Sequence, residues 1–126
     1  MKERSYVFIA GPYGSRGDRR DAAYLEIDRN IARAREAAAF LANNRVPFFC
    51  PHLNSCHFEV ITPEVPMQYW YDLDMAILEP ASAIWLLDGW QDSQGSQVEL
   101  VHARVLQIKV FYPQDGARLV YWWGSD

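Results

Sequence analysis

The sequence predicts an α/β three-layer sandwich around a parallel sheet of about five strands, and three observations carry that expectation. Short continuous apolar runs alternate along the chain with longer segments whose apolar residues recur every three to four positions. The runs are rich in β-branched and aromatic residues and are punctuated by Gly, Pro or Asp-Gly. A strand buried on both faces reads as such a run, and a parallel crossover needs a helix to return the chain, so the alternation is that of a sheet covered on both sides.

Each element follows from its own residues. Ser5-Tyr-Val-Phe-Ile-Ala10 is a strand that ends at Gly11-Pro-Tyr-Gly14, and the loop continues through Ser15-Arg-Gly-Asp18. Tyr24, Ile27, Ile31, Ala34, Ala38 and Leu41 then fall on one face of a long helix, with Arg29, Arg33 and Glu36 on the other, until Asn43-Asn44 closes it. Val46-Pro-Phe-Phe-Cys50 is a second strand, stopped by Pro51. Leu53 to Pro66 is polar and without period and is expected to be a loop over an edge of the domain. A helix is expected over Met67 to Glu79, a third strand over Ala83 to Leu87, a loop over Asp88 to Gly95, and a helix marked by Val98, Leu100, Val101, Val105 and Leu106. Ile108 to Tyr112 is a fourth strand, and Leu119-Val-Tyr-Trp-Trp123 is expected to add a fifth at the edge.

At 126 residues the chain fits one domain spanning 1–126. Half of its residues are hydrophobic, 14% are aromatic, and the net charge of -4 is spread without acidic or basic blocks. That is the balance of a soluble globular protein and excludes a nucleic acid polymer as partner, because no basic stripe is present to neutralise a run of phosphates. The apolar stretch Tyr6 to Ala10 is too short for a signal-peptide core or a membrane span, so no membrane partner and a cytoplasmic location are expected. Two cysteines, Cys50 and Cys56, make no disulfide framework.

In a sheet of this kind ligands bind beyond the carboxyl ends of the strands, where the strand order reverses. Three segments lead from those ends: Gly11 to Asp18, Pro51 to Asn54 and Asp88 to Gly95. The first offers glycines, a hydroxyl and the arginines Arg16, Arg19 and Arg20 just before a helix, which suits a phosphate or a sugar; it also reads as a solvated turn with Asp18 or Asp21 capping that helix. His52, at the end of a strand, is a candidate ligand contact. Cys50, His52, Cys56 and His57 lie close together but without the spacing of a zinc module, and Cys50 is more simply a core thiol, so no metal or cofactor is expected. Tyr13, Trp70 and Trp90 are placed to stack on a base or to serve as core.

Two carboxylates stand out. Ser96-x-x-Glu99 has the form of a capping box, in which Glu99 only reaches back to the helix start. The same position in a first helical turn favours an ionised carboxylate and hence a nucleophile. On the preceding helix, Asp74 has Trp70, Tyr71, Ile77 and Leu78 as neighbours at helical spacing, whereas Asp72 lies beside Gln68, Tyr69, Met75 and Ala76. Asp74 is therefore expected among bulky apolar groups, where it either forms a structural hydrogen bond or carries the raised pKa of a proton donor.

Taken together, Phe8-Ile-Ala-Gly-Pro-Tyr13, Asp74, Leu86-Leu-Asp-Gly-Trp90 and Ser93-x-Gly-x-x-x-Glu99 resemble the nucleoside 2-deoxyribosyltransferase superfamily over nearly the whole chain. The resemblance is closest to its short Gly-Trp-x-x-Ser-x-Gly members and next to the deoxynucleoside 5′-monophosphate N-glycosidases. It implies a flavodoxin/Rossmann-like fold, with Glu99 as the nucleophile that forms a covalent glycosyl intermediate and Asp74 as the carboxylate that handles the leaving base. It implies substrate contacts at Gly11, Tyr13, Ser15, Arg16, His52, Gly89, Trp90, Ser93 and Gly95, with Ser93 and Gly95 in the loop that holds a 5′-phosphate. It also implies a homodimer or higher homo-oligomer. One departure is Ser82, where many relatives carry Asp, which implies a changed supporting hydrogen bond.

Glycosidic cleavage needs one carboxylate below the sugar and a proton donor at the leaving group, roles that Glu99 and Asp74 fit. The expected function is thus an N-glycosidase acting on a (deoxy)nucleoside 5′-monophosphate. Two alternatives remain at this level: a deoxyribosyltransferase that exchanges bases, and a non-catalytic nucleotide sensor on the same fold.

Overall fold

The computed structural model describes residues 3–14 and 20–125, and four parallel strands form its sheet. Strands β1 (Val7–Ala10), β2 (Phe48–Phe49), β3 (Ala83–Leu86) and β4 (Lys109–Phe111) lie in the order β2-β1-β3-β4. The register pairs Val7 with Phe48 on one side of β1 and Val7 with Ala83 on the other, and β3 runs on to pair Ala83 with Lys109. The chain thus moves outward from β1 to β2, returns to the other side of β1 for β3, and continues to β4. Strand order reverses between β1 and β3, and their carboxyl ends flank the crevice where such sheets bind ligands.

Helix α1 (Arg20–Asn43) makes the first crossover, α4 (Met67–Leu78) leads into β3, α5 (Gln94–Val105) links β3 to β4, and α6 (Gly116–Trp123) follows β4. Side chains alternate across each strand and divide the core into two layers. Val7, Ile9, Trp85 and Phe111 pack with Ala34, Ala38 and Leu41 of α1 and Leu119 of α6. On the opposite face Phe8, Ala10, Ile84 and Leu86 pack with Leu78 of α4 and Leu100 and Ala103 of α5. The expected α1 face is buried at Ile27, Ile31, Ala34, Ala38 and Leu41, while Tyr24 at its start is half exposed. Among the described residues no helix is long and apolar enough to cross a membrane.

The sheet has four strands rather than five because Leu119 to Trp123 is helical. A 3₁₀ turn at Pro113–Asp115 redirects the chain after β4, held where the Tyr112 N–H donates to Asp115 Oδ2 at 2.8 Å. The run then buries Leu119 and lays Val120, Trp122 and Trp123 against the α1 layer. A run of five apolar residues carries no period, so its continuous hydrophobicity reads equally as a buried strand. The segment expected as a loop from Leu53 to Pro66 also differs, since two single-turn helices, α2 (Pro51–Asn54) and α3 (Phe58–Ile61), occupy much of it. Pro51 stands at the first helical position of α2, where its fixed φ suits a helix and its missing N–H is no loss. One turn is too short to leave a periodic signature.

Candidate active site

A cavity of about 340 Å³ opens at the carboxyl ends of β1 and β3, within the range of small-molecule sites. The β1 turn lines it with Gly11, Tyr13 and Gly14, α2 with Pro51 and His52, α4 with Trp70, Tyr71 and Asp74, and the start of α5 with Ser93, Gly95, Ser96 and Glu99. Gly11 is where the turn passes closest to β3. A Cβ there would stand 3.0 Å from Leu87 Cβ, so the approach of the two strand ends favours glycine.

Helix α5 begins three residues before the expected box. Ser93 is its N-cap, with its hydroxyl accepting from the Ser96 N–H at 3.2 Å. Glu99 therefore lies in the second turn, beyond the reach of a cap and of most of the macrodipole's favourable field. Its side chain is buried, only 7% exposed. Burial raises its carboxyl well above the usual range, and the neighbouring Asp74 raises it further by charge and by a hydrogen bond between the two side chains. Asp74 is itself raised to about 6 by burial, against the opposing effect of that hydrogen bond. The expectation of an Asp74 with a raised pKa agrees with this arrangement. The expectation of a Glu99 ionised by a first-turn position does not, because the helix starts earlier and the side chain is buried.

Two paired carboxyls, one buried and one half-buried, oppose each other's ionisation, so the arrangement favours a proton held between them. Helix α4 brings this about by phase: Asp74 faces α5, while Asp72 points to solvent and accepts from Gln68 Nε2 at 2.7 Å. Tyr71, one turn before Asp74, reaches over Gly95.

The opposite wall is tied by hydrogen bonds. His52, 5% exposed, donates from Nε2 to the Pro12 carbonyl at 2.9 Å, and burial lowers its pKa. Asn30 of α1, equally buried, donates from Nδ2 to the Tyr13 carbonyl at 3.1 Å. The Tyr13 hydroxyl donates to Glu59 Oε2 at 2.8 Å and accepts from the His57 N–H at 2.7 Å. His57 Nε2 lies 2.9 Å from Asp28 Oδ1, joining α3 to α1. Desolvation holds the Tyr13 hydroxyl in its protonated form.

Of the residues singled out in the sequence, Gly11, Tyr13, His52, Trp70, Asp74, Ser93, Gly95 and Glu99 meet in this cavity. Gly89 and Trp90 do not line it. Gly89 serves the turn after β3 with φ 87°, a left-handed conformation, and Trp90 packs against Tyr112, ring centroids 5.8 Å apart, on the α4–α5 core layer. Ser15, Arg16 and Asp18 lie outside the described residues, as does the side chain of Asp21. Ser82 sits at the amino end of β3, away from the cavity, and its hydroxyl accepts from the Ser5 N–H at 2.7 Å. Cys50 is buried in the α1 layer, which pushes its thiol up to about 11.

Sequence reasoning missed Tyr71 and Ser96 as wall residues and Asn30, Phe58 and Glu59 as supports. Asn30 carried a signal, since it is a polar residue on the buried face of α1 between Ile27 and Ala34. Phe58 and Glu59 carried none, because their helix is a single turn.

A family model described as "Domain of unknown function (DUF4406)" matches residues 6–112. The chain belongs to this family. The DUF4406 match runs from β1 through β4 and includes every residue that lines the cavity, leaving α6 outside it. None of the curated proteins compared with the chain matches it.

Proposed function

We propose that the cavity cleaves the N-glycosidic bond of a (deoxy)nucleoside 5′-monophosphate through a covalent glycosyl-Glu99 intermediate. The observation that carries this reading is the pairing of the half-buried Asp74 carboxyl with the buried Glu99 carboxyl, both raised above the ordinary carboxylate range, in a cavity of small-molecule size. Such a pair supplies a nucleophile and an acid from one store. The carboxylate of Glu99 attacks the anomeric carbon, the carbon–nitrogen bond breaks, and its electron pair leaves with the base as Asp74 gives that base a proton. Water then attacks the anomeric carbon, loses its proton to Asp74, and releases Glu99.

The contact between the carboxyls suits the resting state. Attack on the sugar and protonation of the base call for roughly 5–5.5 Å between carboxyl groups, so the entering sugar has to part them. Burial and Asp74 favour the protonated form of Glu99 in the resting pair, so the reaction requires that proton to pass to Asp74 as the sugar enters, the positive charge developing on the sugar then favouring an ionised Glu99. Trp70, Tyr71 and Phe58 give the cavity the aromatic wall that a base requires, and Ser93 with the first amides of α5 gives it a donor group for a phosphate.

The test is chromatographic. Wild-type protein is incubated with a panel of ribo- and deoxyribonucleosides and their 5′-monophosphates, with and without a second free base. Release of free base without dependence on the second base supports a hydrolase, whereas product formed only with the second base identifies a transferase. Binding without release from any member removes the enzymatic reading and leaves a nucleotide sensor.

A further inference from the structure

Beside the carboxyl pair, one polar group of the cavity wall has no task within the protein. Ser96 is 1% exposed, and its Oγ, shielded from the cavity in this rotamer, has no hydrogen-bond partner among the described residues, so a turn about its Cα–Cβ bond is what brings it to a ligand. Its backbone is already committed, because the N–H donates to the Ser93 hydroxyl that caps α5. The side chain takes no part in that cap. An unpaired hydroxyl inside a protein is unfavourable, and nearly all such groups find a partner. Here the described residues offer none, although alanine at this position would keep the helix and remove the unpaired group.

The position of Ser96 on α5 indicates what partner it awaits. Ser96 and Glu99 are three residues apart, so both fall on the face of α5 that lines the cavity, with Ser96 about 4.5 Å nearer the helix start. That interval is the scale of a sugar ring. With Glu99 beneath the anomeric carbon and Ser93 at the cap, Ser96 stands between the reacting carbon and the phosphate end of the substrate, alongside the ring.

We infer that the Ser96 hydroxyl is a specificity-determining contact that hydrogen-bonds a hydroxyl of the substrate's sugar ring. The inference rests on the glycosidase reading for the orientation of the sugar. Serine suits the role because its hydroxyl both donates and accepts, as a sugar hydroxyl does. A site built around such a bond discriminates against the analogue that lacks the hydroxyl, since binding that analogue leaves the serine unpaired.

The experiment compares wild type with Ser96→Ala and the near-isosteric Ser96→Cys in the full chain. Base release is measured for ribo-, 2′-deoxyribo- and 3′-deoxyribonucleoside 5′-monophosphates. Binding of ribose 5-phosphate and 2-deoxyribose 5-phosphate is measured by calorimetry, and each protein is melted without ligand. We expect wild type to favour one hydroxyl-bearing compound over its deoxy counterpart by about tenfold or more, and both variants to lose most of that preference. The loss falls on the hydroxyl-bearing compound alone, and the ligand-free melting temperature of Ser96→Ala equals or exceeds that of wild type. Equal losses on all compounds, no loss on any, or a lower melting temperature overturns the inference. Base release that ignores Ser96 sinks the inference and leaves the glycosidase standing. Sugar-phosphate binding that depends on Ser96 without any base release does the reverse, and neither binding nor release removes both.

Discussion

On the β1 side of the cavity, Tyr13, His52 and Asn30 each bond to a carbonyl, an amide or a carboxylate of a neighbouring element. On the α4–α5 side, among the described residues, Asp74 and Glu99 have each other and the Ser96 hydroxyl has nothing. The first wall is scaffold: its polar groups hold two helical turns and a strand end in register. The second carries polar groups that the fold does not need, at some loss of stability, as functional sites commonly do. Chemistry is expected on the wall whose polar groups are left over.

The largest effects should follow from the second wall. Glu99→Gln removes the nucleophile, and base release should fall at least about 10³-fold while nucleotide binding by calorimetry persists. The same variant should melt higher than wild type at neutral pH, because it replaces a buried carboxyl whose ionisation the site opposes. Activity retained in Glu99→Gln would break the comparison outright. Asp74→Asn should lose about 10²- to 10⁴-fold, the range of a missing general acid. Its loss should be smaller for substrates whose base leaves without protonation, which a series of leaving groups measures.

The pH dependence of stability should set the two walls against each other. Asp74 and Glu99 both have raised pKa values in the folded state, so between the ordinary carboxylate range and the raised values the native protein holds more protons than the unfolded chain. Stability from this wall therefore falls as pH rises, through about 6 for Asp74. His52 has a lowered pKa, so below about 6.5 the unfolded chain holds more protons and stability from that wall is lost as pH falls. Denaturant melts across pH 4 to 8 check this: Glu99→Gln should reduce the falling limb to the share of Asp74, which burial raises on its own, and His52→Asn should remove the rising one. Catalysis should follow the pair alone, rising with pH through about 6 as one proton leaves and falling once the second is lost.

Much of the fold was legible because the informative segments were long or well bounded. The face of α1 repeats from Tyr24 to Leu41, and β1 and β3 are short apolar runs with clear stops. Asp74 was readable for the same reason, since its neighbours at three and four positions are large. The start of α5 was hidden by Gln94-Gly-Ser-Gln97, polar residues without period, and that concealment turned Glu99 into an apparent cap. The run from Leu119 to Trp123 was too short to show its helical phase. The contact between Asp74 and Glu99, and the unpaired state of Ser96, were not legible at all. Both depend on how α4 packs against α5, which no local pattern encodes. Trp90 looked like a site residue by its place after β3, and only its tertiary partner Tyr112 assigns it to the core.

On the first wall the effects should be on stability. His52→Ala removes a buried ring and leaves the Pro12 carbonyl without its donor, which should destabilise by about 2–3 kcal/mol. Melting temperature reads this directly, and the proportion of active sites titrated with substrate should fall with it.

Tyr13→Phe should give the smallest change. The variant deletes one hydroxyl that donates to Glu59 at the exposed rim and accepts from the His57 amide in a half-buried position, where water can replace part of each bond. We expect a loss of about 0.5–1 kcal/mol in denaturant unfolding. Phenylalanine keeps the ring against His52 and keeps the cavity wall, so turnover should change by less than about tenfold, through KM rather than kcat. A fall in kcat of more than about a hundredfold with stability intact would mean that the Tyr13 hydroxyl acts on the reacting groups. The division into a scaffold wall and a chemical wall would then have to be redrawn to place Tyr13 with Asp74 and Glu99.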